Sequence, residues 1–290
     1  MSHQVIEVLQ EGAVSFCQLV ILCLLTPFFT WALEVSPVLL SGRTVPRLGQ
    51  IYRQFISFFR HVMRQGLPPA EGVSFSLAMI VFIALPGCVV IPGLGDMMLF
   101  PGPLGDILLV GGILLWGGFC LMPAFFLGRY VGAIVPLCMA EALLVLAAPG
   151  VYGLSGIHTV LRLLPGSGLA GASICCALAL AVSSPLPTVS ELTELMMSYR
   201  YVPTRDGRDC RRVLVRFLQM GWLLLVADLL FPVLSDSDGW ASIVELVIRL
   251  ACALFVTVLL RLIGVERHVR LIALLIGLGF LIALAGRFAT

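Results

Sequence analysis

Lysine does not occur in this chain; all 18 basic residues are arginine. That absence reads as a bias of composition and excludes no function. The scarcity of charge excludes more. Only 12% of the 290 residues are charged, against 60% hydrophobic, and the mean hydropathy is +1.07. A soluble domain carries roughly twice that charge density. No water-covered surface absorbs so much apolar side chain, so the solvent for most of this chain is lipid.

Other shortages narrow the chemistry. No C-x-x-C occurs among nine cysteines. Eight of them (Cys17, Cys23, Cys88, Cys120, Cys138, Cys175, Cys176, Cys252) lie in apolar stretches, and Cys210 lies in a charged one. They read as small hydrophobes, without the spacing of zinc or iron–sulfur ligands. Histidine is limited to His3, His61, His158 and His268, outside or at the edges of the apolar stretches. That placement argues against a haem held between membrane helices. Walker, dinucleotide and nucleophile-elbow motifs are missing. No catalytic or metal-ligating residue is assigned, no cofactor is expected in this chain, and no nucleic-acid partner is expected. No basic residue precedes Arg43, and Glu7 and Glu11 come before the first apolar run. This does not fit a secretory signal, so the first span is expected to persist.

Eight apolar windows approach the ~20 residues that a spanning helix needs. They cover approximately 14–33, 73–94, 107–127, 133–150, 169–186, 213–233, 242–263 and 269–288. The expectation is an all-α, polytopic membrane protein of about eight transmembrane helices, one integral membrane domain over residues 1–290. Arginine sets the orientation. With both termini outside, only Arg162, Arg249 and Arg287 of the 18 fall on the outer side, while Asp96, Asp106, Asp236 and Asp238 lie in outer loops. The positive-inside rule then supports eight spans with the arginine-rich loops in the cytoplasm, and the cell's inner (cytoplasmic) membrane is the expected location.

Two inner segments exceed what a connection needs. Over residues 47–64, Leu48, Ile51, Tyr52, Phe55, Phe59, Val62 and Met63 recur at helical spacing. Arg47, Gln50, Arg53, Gln54, Ser57, Arg60, His61 and Arg64 fill the other side, and Gly66 with Pro68-Pro69 ends the run. The pattern predicts an amphipathic helix in the membrane interface, its arginines directed at lipid phosphates or a partner protein. The alternative is a lipid anchor alone. Residues 185–212 form the second segment, a charged loop with Glu191, Glu194, Arg200, Arg205, Asp206, Arg208, Asp209, Arg211 and Arg212. It is either a solvated connector or a surface for a soluble partner.

Ionisable residues inside a bilayer are costly and functional by default. Glu141 stands mid-span in the fourth window. It either takes part in proton movement or is held by a buried hydrogen bond or another subunit. Asp228 lies one to two turns below the outer end of the sixth window. Glu245 and Arg249 are spaced i,i+4 in the favourable order. These three are expected to form an ion cluster near the outer face.

The order of features resembles the subunit-1 family of respiratory complex I. It is closer still to the membrane-anchor subunits of energy-converting [NiFe]-hydrogenases and formate hydrogenlyase. One span leads to a basic interfacial helix, and a charged loop separates spans five and six. The local match runs from Arg43 through Pro46, Gln50 and Tyr52 to Arg53, with Val45 where the family has glycine and Gln54 and Ser57 where it has an acid and a lysine. Glu141 matches the glutamate of an Arg-Glu-Ala segment, with Ala140 in place of the arginine. Pro187, Glu191 and Glu194 match part of an acidic loop, and Arg261 stands about where the family often carries a glutamate.

The resemblance implies a membrane anchor that couples redox chemistry in a docked hydrophilic arm to proton movement. Its proton path would comprise Glu141, Glu191, Glu194 and Asp228. Docking would fall to Arg43, Gln50, Arg53, Arg205, Arg208, Arg211 and Arg212. The implied partners are a hydrogenase-like large subunit, an iron–sulfur subunit and antiporter-like membrane subunits. Iron–sulfur clusters, and nickel–iron in the hydrogenase type, would belong to those partners. Two rivals stand beside it: a stand-alone secondary transporter, against which the lack of paired repeats argues, and a structural scaffold without proton transfer.

Overall fold

The computed structural model describes residues 19–36, 38, 47–66, 72–85, 106–121, 132–143, 168–183, 205–231, 240–263 and 268–289. Among these residues there is no strand, and nine helices account for nearly all of them. They are α1 (Leu19–Ser36), α2 (Leu48–Gln65), α3 (Val73–Ala84), α4 (Ile107–Leu121), α5 (Gly132–Leu143), α6 (Leu169–Ser183), α7 (Arg205–Leu230), α8 (Trp240–Leu262) and α9 (Val269–Ala289). Each of the eight apolar windows overlaps one of these helices, and α2 is the ninth.

Among the described residues, four helices are long and apolar enough to cross a membrane: Leu19–Ser36, Arg208–Leu230, Ile243–Leu262 and Val269–Gly286. The other four, α3 to α6, are shorter apolar helices of 10–17 residues.

Helix α7 is the axis of the bundle. Of its apolar window 94% is buried, against 22% for α8 and 17% for α9. The outer helices turn Val244, Ile248, Phe255, Leu274 and Leu281 outward. Exposed apolar rows of this extent are what a lipid-facing wall requires.

Small residues set the close approaches. The tightest is between α6 and α9, where a Cβ on Gly168 would lie 2.4 Å from the carbonyl oxygen of Ile282. Gly168 also has φ +70°, a left-handed conformation open to glycine at little cost. Gly221 of α7 admits Leu114 of α4, and Gly117 of α4 admits Leu218 of α7. This fixes an antiparallel register that carries the start of α4 to the far end of α7. Within α3, a π-helical stretch at Ile80–Ala84 buries Ile80, Val81 and Ala84 together, with Ile80 seated over Gly117.

Two sequence expectations need correction. Residues 205–212 belong to no loop; they are the first two turns of α7, and Cys210 is fully buried there. Past Gly207 nothing breaks the helix, arginine is a good helix former, and Asp209 pairs with Arg212 one turn on at 3.6 Å. Residues 184–204 lie outside the described residues. The buried side of α2 consists of Ile51, Phe55 and Phe58, with Phe59 and Val62 at its edge, whereas Met63 is 88% exposed. The packed seam is therefore narrower than the apolar set of the sequence.

Candidate functional site

Three polar constellations interrupt the apolar packing. The first joins α1 to α7. Pro27 deprives α1 of one amide donor, and threonines bond back along the helix: Thr26 Oγ1 donates to the Leu22 carbonyl at 2.7 Å and Thr30 Oγ1 to the Thr26 carbonyl at 2.7 Å. One turn further on, Glu34 Oε2 lies 3.7 Å from Arg216 Nη2, and Arg216 Nη1 donates to Thr30 Oγ1 at 3.3 Å. Both charged side chains are buried, with 5% of Arg216 and 12% of Glu34 exposed. Sequence reading missed this pair. Each residue reads alone as a charge near the end of a span, and 182 positions separate them. The available signal was the rule that charges within spans need partners.

The second constellation lies toward the other end of α7. Arg249 and Glu245 of α8 form the expected ion pair. Asp228 of α7 is 3% exposed and within Coulombic range of Arg249. Its Oδ2 has no hydrogen-bond partner among the described residues. Of the cluster expected of these three residues, the Glu245–Arg249 pair is present and Asp228 stands within electrostatic reach of Arg249. Close by, Ser173 of α6 donates to the Leu229 carbonyl at 2.8 Å, tying that end of α7 to α6.

Glu141 of α5 belongs to the third. Gly132, at the start of α5, lies beside Ser183 and Ile272, while Leu137 packs over Gly111 of α4. The two helices are antiparallel, and Glu141 reaches the first turn of α4. There its carboxyl group comes within electrostatic reach of the Asp106 side chain. Asp106 caps α4, its Oδ1 accepting the Leu108 amide at 3.0 Å. Glu141 is 9% exposed, and its Oε2 has no hydrogen-bond partner among the described residues. Asp106, read from the sequence as an outer-loop acid, is the nearest acidic partner of Glu141. The α4–α7 register puts Asp106, Glu141 and Asp228 at the same end of the bundle.

The docking residues gather at the opposite end. Gln50 and Arg53 are exposed on α2, and Arg205 opens α7. Helix α2 reaches α7 through Phe55 and Phe59, with ring centroids 5.6 and 6.4 Å from that of Phe217. It reaches α1 through Tyr52, which donates to the Leu24 carbonyl at 3.0 Å. These contacts bring Arg53 to Arg208 and Arg212 in one cavity. Arg211 lies beside Cys210 on the same turn. Arg43, Glu191 and Glu194 lie outside the described residues. Among the described residues, no three His, Cys, Asp or Glu side chains converge as a metal site. Comparison with family models and with curated proteins found no match for this chain.

Proposed function

We propose that the chain is the membrane-anchor and proton-coupling subunit of a multisubunit, hydrogenase- or complex I-like oxidoreductase. One observation carries the reading: the two ends of the bundle differ in chemistry. Asp106, Glu141 and Asp228 occupy one end, and an arginine-bearing platform of α2 and the start of α7 occupies the other. In the eight-span topology with both termini outside, the arginine end faces the cytoplasm, where a hydrophilic arm would dock. The acid end faces outward. Helix α2 would then lie at the cytoplasmic interface, anchored by its aromatic seam on Phe217.

The Glu141–Asp106 pair deepens the proton-path reading and shifts its place. Two neighbouring carboxyl groups would form a site able to bind or release one proton with little movement of the helices. Next to the capped start of α4, it would serve as the outer terminus of the path rather than a mid-membrane relay. Glu191 and Glu194 remain its proposed cytoplasmic entry. Glu141→Gln tests the role, because the amide can still donate to Asp106 but cannot titrate. Assembly with the soluble iron–sulfur subunits is expected to survive, while redox-linked proton movement into vesicles falls at least tenfold. Wild-type pumping by this variant would leave the scaffold reading in its place.

A further inference from the structure

The cavity between α2 and α7 is more specific than a docking surface requires. It encloses about 480 Å³ and is lined by Arg53, Gln54, Ser57, Arg208, Asp209 and Arg212. Binding pockets for small molecules start at about 300 Å³, so a single phosphate head group fits with room to spare. Three guanidinium groups from two helices converge here against one carboxylate, leaving a net charge of +2. Asp209 spends its charge on Arg212 at 3.6 Å. Among the described residues, neither Arg53 nor Arg208 has an acidic partner. Arginine's planar fork matches phosphate oxygens two at a time.

Position selects the source of the phosphate. Arg208 and Arg212 stand in the charged first turns of α7, ahead of its apolar run from Val213, so the cavity opens where that helix would leave the hydrocarbon. On α2, Ile56 is 57% and Met63 88% exposed, apolar side chains pointing away from the bundle beside the basic face. A basic cavity flanked by outward apolar residues at the end of a span matches an anionic lipid better than a soluble anion. An acidic peptide would need no apolar flank.

We infer that the Arg53–Arg208–Arg212 cavity holds the phosphate of an anionic phospholipid from the inner leaflet. The inference needs the membrane placement of α7 but no coupling role. It assigns three of the docking arginines to lipid and leaves Arg43, Gln50, Arg205 and Arg211 for a protein partner.

The test uses the intact chain in nanodiscs of phosphatidylcholine with a minor fraction of phosphatidylglycerol, followed by native mass spectrometry of retained lipid. Wild type is expected to retain phosphatidylglycerol selectively. Each of Arg53→Gln, Arg208→Gln and Arg212→Gln should lower the selectivity about fivefold, the factor expected for one arginine near a membrane surface. Asp209→Asn should raise it. Arg60→Gln and Arg64→Gln, made singly as equal charge changes on α2 outside the cavity, should each leave it near the wild-type value. Arg53 is exposed, so its single variant reports on the site even where changes in α7 impair folding. Equal loss in the Arg60 and Arg64 controls would overturn the proposal in favour of diffuse surface charge. Competition by millimolar inorganic phosphate with no preference for phosphatidylglycerol would overturn the lipid assignment. Retained selectivity in Arg53→Gln would overturn the site. Neither result depends on proton pumping, so this inference and the coupling reading fail separately.

Discussion

Removing one partner of the Glu34–Arg216 pair is the sharpest test of how the bundle is held together. At 3.7 Å, the Coulomb attraction is about 4.5 kcal/mol for an effective dielectric constant of about 20. The separation exceeds the ~2.8 Å of a tight charge-assisted hydrogen bond, so the net value is smaller. What matters is the charge left behind. In Glu34→Gln, Arg216 stays buried with the Thr30 hydroxyl as its remaining partner among the described residues. An uncompensated charge of this kind costs about 3–5 kcal/mol, whereas replacing both partners by groups of similar volume is nearly neutral. Glu34→Gln is therefore expected to destabilise the chain by about 3 kcal/mol. Adding Arg216→Met should restore most of that loss, giving a coupling energy of at least about 2 kcal/mol. Reversible unfolding of the full chain in bicelles, read across the four members of the cycle, measures it. Additivity within about 0.5 kcal/mol would refute the pair as a stabilising contact.

Two further outcomes are expected. Gly168→Ala should destabilise by about 2 kcal/mol or more, since its Cβ would meet the Ile282 carbonyl at 2.4 Å from a left-handed backbone. Gly112→Ala, with nothing within 4 Å, should shift the melting temperature little or upward. For the topology, single cysteines at Asp96 and Asp238 in a cysteine-free background should react with an impermeant thiol reagent on intact cells, and one at Arg208 should not. Labelling at Arg208 alone would invert the orientation.

Some of this was legible from one dimension. The charge deficit and the eight apolar windows lead to an all-helical chain, because backbone polar groups in lipid must be satisfied within the segment. Contacts between neighbours on one helix were equally open to reading. Glu245 and Arg249 are four residues apart, and α2 declares its polar side by spacing alone. The beginning of α7 was not legible: a cluster of charges looks like a loop until its i,i+3 pairing is seen.

The tertiary structure decided which helix is central. By composition α7 is the least hydrophobic of three long helices, with a mean hydropathy of 1.8 against 2.5 for α8 and 2.4 for α9, yet it is the most buried. In water, hydrophobicity would rank burial. In lipid both surroundings are apolar, so periodicity cannot tell a face packed on helices from one packed on acyl chains. Polar groups reverse the ranking: Arg216, Gln219 and Asp228 are tolerated only where other helices supply partners or enclose them. The same logic joins Glu34 to Arg216 and Glu141 to Asp106. No spacing in the sequence links those residues. Only the antiparallel packing of α4, α5 and α7 and the docking of α1 bring them within reach.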